Sequence, residues 1–370
     1  MRLVLSSHAL LDGLQTVSRA LTARTANPIL EGMLIEGLDG CMRVTASDER
    51  MTIVTSIPCE VEKTGAGVIP GKLFIEIVRK LQENANVELR MNDRFLFTIT
   101  SGASVINLAG QDSALYPVFQ APSQSNEITL PQSLLREMIL KTEFAIASDD
   151  AREVLTGALL EIQGGEATMV ALDGFRMAYK REKCSDVLDR VCAIVPGRAV
   201  GDLGKLLAGG DEDFATLAFE NGRMEVHLDK TDIYITLIAG QFIDYRRIVP
   251  TSFRLRAVAR SEALRQSIER AALLAREGTN NLIRFFLHDG VLEIDSSSPM
   301  GDAHEEMELA QMDGQEMKIA FNVRYMQDVM RTIDAEEVEM HFTDSLSPCV
   351  ISPADDEDYV HLVLPVRTGG

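Results

Sequence analysis

The sequence predicts an α+β fold of three similar domains with antiparallel sheets, on three observations. Amphipathic stretches recur at a spacing of about 125 residues, read directly off the chain. A second helical stretch opens at Pro70, Pro196 and Asn322, each 126 residues after the last. Between and after these helices lie apolar–polar alternations broken by Asp-Gly or Gly-Gly, the signature of β-hairpins.

The elements follow in order. The first helix runs from His8 to Leu21 and sets Leu10, Leu14, Val17 and Leu21 on one face. Its counterparts run from Gln132 to Ile146, with Leu135, Met138, Ile139 and Thr142, and from Ser261 to Arg276, with Leu264, Ile268, Ala271 and Ala275. Such spacing leaves one apolar stripe per helix. Pro70 and Pro196 suit a first helical position, where the missing N–H costs nothing, and Asn322 suits a cap. Hairpins are read from Met33, Ala158 and Ile283, and later ones over Asn86–Leu108, Ala215–Ile238 and Glu337–Val366. The polar run Gln120–Asn126 and the short join near Pro250 place domain boundaries at 1–121, 122–251 and 252–370.

With 46% hydrophobic and 25% charged residues, the composition is that of a soluble globular protein. No run approaches the roughly 18 apolar residues of a membrane span. Asp12 interrupts what would be the core of a signal peptide, so the expected location is the cytoplasm. Cys41, Cys59, Cys184, Cys192 and Cys349 are scattered without CxxC spacing, which points to reduced thiols rather than disulfides or zinc. The six histidines show no metal-ligand spacing, and no glycine-rich phosphate loop appears. No cofactor, metal or catalysis is expected.

A net charge of −20 argues against nucleic acid until the charges are located. The six helical stretches carry 13 Lys and Arg against 9 Asp and Glu; the rest of the chain carries 23 against 47. The acidic excess therefore lies in strands and loops. A weak basic bias on the helices suits loose, sequence-independent contact with a polyanion rather than tight phosphate binding.

Six segments carry a family resemblance: Asn27–Leu30, Thr45–Asp48, Leu172–Ala178, Phe242–Pro250, Phe321–Tyr325 and Leu364–Arg367. In order and spacing they resemble bacterial DNA sliding clamps, the beta subunit of DNA polymerase III. The resemblance covers the whole chain. It implies the DNA clamp fold, with antiparallel sheets outside and helices lining a ring formed by a homodimer. It also implies partners: double-stranded DNA held topologically, the polymerase III catalytic subunit, the clamp loader, and other polymerases and repair proteins docking through short peptides.

The resemblance carries site residues over position by position. A peptide pocket is expected from Arg152, Leu155, Leu172, Gly174, Phe175, Arg176, Met177, Ile243, Arg247 and Ile248. Leu362, Val363, Leu364, Pro365, Val366 and Arg367 complete it. Phe175 stands where the family usually has His, and Ile243 where it usually has Pro. DNA contact is expected from Arg24, and from Lys72, Arg79, Lys80, Arg136, Lys141, Arg198, Lys205 and Arg265. A dimer seam is expected from Ala103, Val105, Ile106 and Leu108 against Ala272, Leu273, Leu274, Glu305 and Glu306. Family arginines are replaced by Ala103 and Val105, so this seam rests more on apolar burial. Thr368, Gly369 and Gly370 read as an extension past the usual family end. The alternative is a peptide-binding scaffold of the same fold that never encloses DNA.

Overall fold

The computed structural model describes residues 1–22, 25–117, 126–149, 152–184, 190–210, 212–278 and 281–367. Among these residues stand six α-helices: α1 (Ser7–Val17), α2 (Gly71–Arg79), α3 (Gln132–Thr142), α4 (Gly197–Leu206), α5 (Ser261–Ala275) and α6 (Val323–Met330). The predicted stripes are buried: Leu10, Leu14 and Val17 on α1, Leu135, Met138, Ile139 and Thr142 on α3, and Leu264, Ile268, Ala271 and Ala275 on α5. The Ser6 hydroxyl accepts from the Ala9 amide at 3.1 Å and starts α1. Asn322 accepts from the Arg324 amide at 3.0 Å and starts α6 as expected.

Two details differ from the sequence reading. α1 and α3 end earlier than predicted, tightening into 3-10 turns over Ser18–Ala20 and Glu143–Ala145. Pro70 and Pro196 are not first helical residues; each is the last residue of a strand, Gly65–Pro70 or Val191–Pro196. Both pair with a glycine at the ladder end, Gly32 and Gly157, where a missing N–H breaks no interior bond. The helices then begin on Gly71 and Gly197, whose added Cβ atoms would fall 2.8 Å from Leu21 and Ile146 side-chain carbons.

The hairpin signals give antiparallel ladders. Gly164 and Gly165 (φ 60° and 76°) and Asp289 and Gly290 (φ 46° and 80°) turn with two positive φ angles, which matches the twist of the strands they join. Four sheets result. A five-stranded sheet of the first repeat ends at the edge strand Ser104–Ala109. A four-stranded sheet of the third repeat ends at the edge strand Gly301–Glu308. The other two sheets have nine strands each and run across the joins between repeats. One is joined by Met51–Pro58 with Thr231–Thr236, the other by Arg176–Lys183 with Tyr359–Val363.

Packing groups the chain into two compact units, Met1–Ser133 with Lys205–Leu237, and Leu134–Gly204 with Ile238–Gly370. Neither follows a repeat, because a nine-stranded sheet ties halves of neighbouring repeats together. In the second unit one apolar cluster gathers Phe285, Phe321 and Phe342 with the buried faces of α5 and α6. Another gathers Leu155, Leu172, Met177, Phe242, Tyr245 and Leu362.

Candidate peptide cleft, DNA face and seam

The candidate cleft is built on a turn between strands Glu166–Leu172 and Arg176–Lys183. The Asp173 carboxylate accepts from the Phe175 amide at 2.9 Å and the Arg176 amide at 3.0 Å. Gly174 takes φ +88°, a conformation costly for residues with a Cβ. Arg176 Nε donates to Asp173 at 3.0 Å, and its guanidinium also pairs with Asp328 on α6. The Phe144 and Tyr325 rings lie 5.4 and 4.8 Å from that guanidinium. Phe175 stacks on Tyr325 with ring centroids 6.0 Å apart. The C-terminal segment is fastened beside this turn: the Leu364 amide donates to the Phe175 carbonyl at 2.9 Å, and the Val366 amide to Ala320 at 2.8 Å.

The predicted pocket residues divide by depth. Leu155, Leu172, Met177, Leu362 and Val363 are buried core side chains. The first four form an apolar floor with Phe242 and Tyr245, with Ile243 packed against it. Phe175 (59% exposed), Ile248 (39%) and Leu364 (38%) offer apolar surface to solvent. Gly174, Arg152, Arg247 and Arg367 are exposed, and Pro365 and Val366 half-buried. Arg247 is paired with Asp244 at 2.9 Å. An apolar floor under a few polar groups suits Leu or Phe anchors of an extended peptide. Phe144, Tyr325 and Asp328 were missed by the sequence reading. The Asp173-to-Arg176 spacing was the available signal for the turn, but nothing local links it to α6.

The predicted DNA residues are not equivalent. Arg24 lies outside the described residues. Lys72, Arg79, Lys80 and Arg136 are exposed and have no ion-pair partner among the described residues. Lys205 is exposed, and Arg198 lies 3.7 Å from Asp202. Lys141 and Arg265 sit among acidic neighbours. The Lys141 side chain is only 17% exposed, packed over the Tyr359 ring beside Glu137 and Asp334. Arg265 is held by Glu262 and Glu269 of its own helix.

The two predicted seam surfaces each hold one edge strand. On Ser104–Ala109, Val105 is 61% exposed and Ile106 half-buried, with Ala103 exposed at the preceding turn. On α5, Leu273 is 67% exposed and Leu274 half-buried. Leu108 and Ala272 turn into the core, so they are not surface residues. Glu305 is engaged by Arg270 of its own chain, whose hydrogen bond holds the carboxyl below its usual range. Glu306 stays exposed. The pairing of strands Val291–Ser298 and Gly301–Glu308 also gathers Glu293, Asp295 and His304, a group invisible in linear spacing.

Family models for the DNA polymerase III beta subunit match three consecutive stretches: the N-terminal domain at 1–120, the central domain at 129–244 and the C-terminal domain at 246–367. The beta sliding clamp of Staphylococcus epidermidis is 32% identical, with 97% of each chain aligned. That of Staphylococcus aureus is 33% identical over 95% of each. The crystal structure of the Bacillus subtilis DNA polymerase sliding clamp superposes over 100% of both chains, with TM-score 0.96 and 29% identity. A Pseudomonas aeruginosa sliding clamp solved bound to griselimycin covers 100% of both chains, with TM-score 0.94 and 27% identity. Together with the three-repeat fold, these matches mean that the chain belongs to the bacterial DNA sliding clamps, the beta subunit family of DNA polymerase III.

Proposed function

We propose that two copies of this chain close head-to-tail into a ring around duplex DNA and act as a processivity factor. The ring has helices inside and sheets outside, slides without reading sequence, and performs no catalysis. Its domains are 1–121, 122–251 and 252–370. The single observation that carries the dimer is the strand count. Each sheet inside the chain that crosses a join has nine strands, and the two that remain have five and four, each ending in an edge strand. Pairing the open edges of two copies makes further nine-stranded sheets and removes edges that otherwise invite aggregation.

The internal joins also give the register. In both, the third residue of one strand faces the third of the other: Ile53 opposite Ile233, and Ala178 opposite His361. Ala303 and Ile106 are the third residues of the two open edge strands. The seam therefore sets Ala303 opposite Ile106 of the partner subunit, with Val105, Leu273 and Leu274 supplying apolar burial.

Lys72, Arg79, Lys80 and Arg136, free of ion pairs among the described residues, face DNA together with Arg24, Arg198 and Lys205. The cleft at Phe175, Ile248 and Leu364 docks short peptides of the polymerase catalytic subunit, the clamp loader and repair proteins. Among the described residues no helix is long and apolar enough to cross a membrane, and the assembly works on DNA in the cytoplasm. The test is to trap the protein on nicked circular DNA and then linearise the DNA. Release on cutting supports enclosure; retention after cutting, or a stable monomer at micromolar concentration, favours the non-encircling scaffold. Removal of 364–370 abolishes binding of a polymerase-derived peptide and leaves the dimer intact; unchanged peptide affinity overturns the cleft assignment.

A further inference from the structure

We propose that Glu293, Asp295 and His304 form a binding site for a divalent transition metal of the zinc class. The three donors come from one hairpin of one chain, and His304 lies on the strand that the proposed seam pairs with a second copy. Strands Val291–Ser298 and Gly301–Glu308 place Asp295 directly opposite His304. Glu293 lies two residues along from Asp295, so strand alternation puts all three on one sheet face. Their donor atoms lie within 4.8 Å of one another, with His304 Nδ1 2.7 Å from Asp295 Oδ1. Zinc bonds to nitrogen and carboxylate oxygen are about 2.0–2.2 Å, so a small side-chain adjustment brings all three donors onto one ion.

The ligand chemistry selects the metal class. Two carboxylates with one imidazole suit zinc, cobalt or nickel better than calcium, which prefers an all-oxygen shell. Paired strands fix the backbone beneath the donors, and in the single chain the face is open: the Asp295 and His304 side chains are 49% and 54% exposed. His288 supplies an outer partner, its Nε2 lying 2.9 Å from Glu293 Oε1. A hydrogen bond from that ring orients the carboxylate toward its ligand position, the usual role of groups just outside a metal's own ligands. Solvent completes the coordination.

The experiment titrates zinc alone into the metal-free full-length protein by calorimetry, with cobalt(II) absorption as a spectroscopic check. The expected result is one ion per chain at this hairpin. Binding is lost in H304A and in D295N, and weakened about 10- to 100-fold in H288A. Both ligand side chains are exposed, so the variants should unfold at the same urea midpoint as the parent in chelator; that measurement separates lost ligation from lost fold. H227A, which alters a separate histidine–aspartate pair, should bind zinc as the parent does. Absence of zinc binding, or affinity unchanged in both H304A and D295N, overturns the proposal.

Discussion

Arg176, on a strand of the second repeat, is ion-paired to Asp328, on helix α6 of the third. This contact fastens the turn at the candidate cleft to an element 152 residues away in sequence. With 12% exposure the guanidinium is largely desolvated, and Asp173 supplies its second carboxylate. A charge-assisted hydrogen bond of this kind contributes about 1.5–3 kcal/mol. Replacement of Asp328 by Asn should therefore loosen the Phe175 turn and weaken binding of a polymerase-derived peptide about tenfold or more. Fluorescence anisotropy checks the affinity, and light scattering should show the same dimer.

Glu49 and Gly174 occupy the same kind of turn in successive repeats. Asp48 accepts from the Arg50 and Met51 amides as Asp173 does from Phe175 and Arg176. The residue after each aspartate has positive φ, +75° at Glu49 and +88° at Gly174. A side chain in this region costs roughly 1–2 kcal/mol, part of which glycine returns as lost chain entropy. Glu49→Gly should therefore stabilise by about 0.5–1 kcal/mol and Gly174→Ala destabilise by about 1 kcal/mol. Urea unfolding of the two variants tests the pair of signs.

His361 is fully buried against Tyr359 and Phe144, and neither ring nitrogen has a hydrogen-bond partner among the described residues. Burial, with Lys141 nearby, pushes its pKa down to about 3. Between the unfolded value of about 6.5 and about 3 the unfolded chain binds a proton that the folded chain refuses. Stability should fall as pH drops through this window, by up to about 1.4 kcal/mol per pH unit from this residue. His361→Leu should flatten the slope of urea-unfolding free energy between pH 6 and pH 4.5. Glu161 enters at lower pH: burial raises its pKa, but Arg246 and Arg190 outweigh that and leave it lowered. Its contribution is present above about pH 4.3 and is lost only below it.

The seam register makes a sharper prediction than dimerisation alone. Cysteines placed at Ala303 and Ile106 should cross-link two copies under mild oxidation, giving a covalent dimer on a denaturing gel. Cysteines at Ala303 and Ala109 should not, because a three-residue offset along a strand is about 10 Å, beyond disulfide reach. Equal cross-linking of both pairs would argue against the register.

Local pattern made much of the fold readable. The stripe Leu135, Met138, Ile139 and Thr142 is buried as spaced, and the helices following Pro70, Pro196 and Asn322 begin one residue later in every repeat. Contacts between distant segments were not readable. Nothing in the alternation around Ile53 names Ile233 as its neighbour, and nothing near Arg176 points to Asp328. The candidate sites suffered in the same way. Leu108 and Ala272 look like seam residues until sheet and helix rotation turn them inward, and Lys141 looks like a free cation until Tyr359 covers it. A residue's type and neighbours set its preference, but direction comes from the packing of the element that carries it.

The nine-stranded sheets have a consequence for how the assembly responds to its surroundings. Their joins lie within one polypeptide, so closing them is a unimolecular event that dilution does not oppose. The seam between copies alone obeys mass action. Lowering the protein concentration should therefore part the ring at the Ser104–Ala109 and Gly301–Glu308 edges and nowhere else, leaving each chain's own joins intact. Opening becomes a question of how many molecules share a volume rather than of how well any one of them is folded.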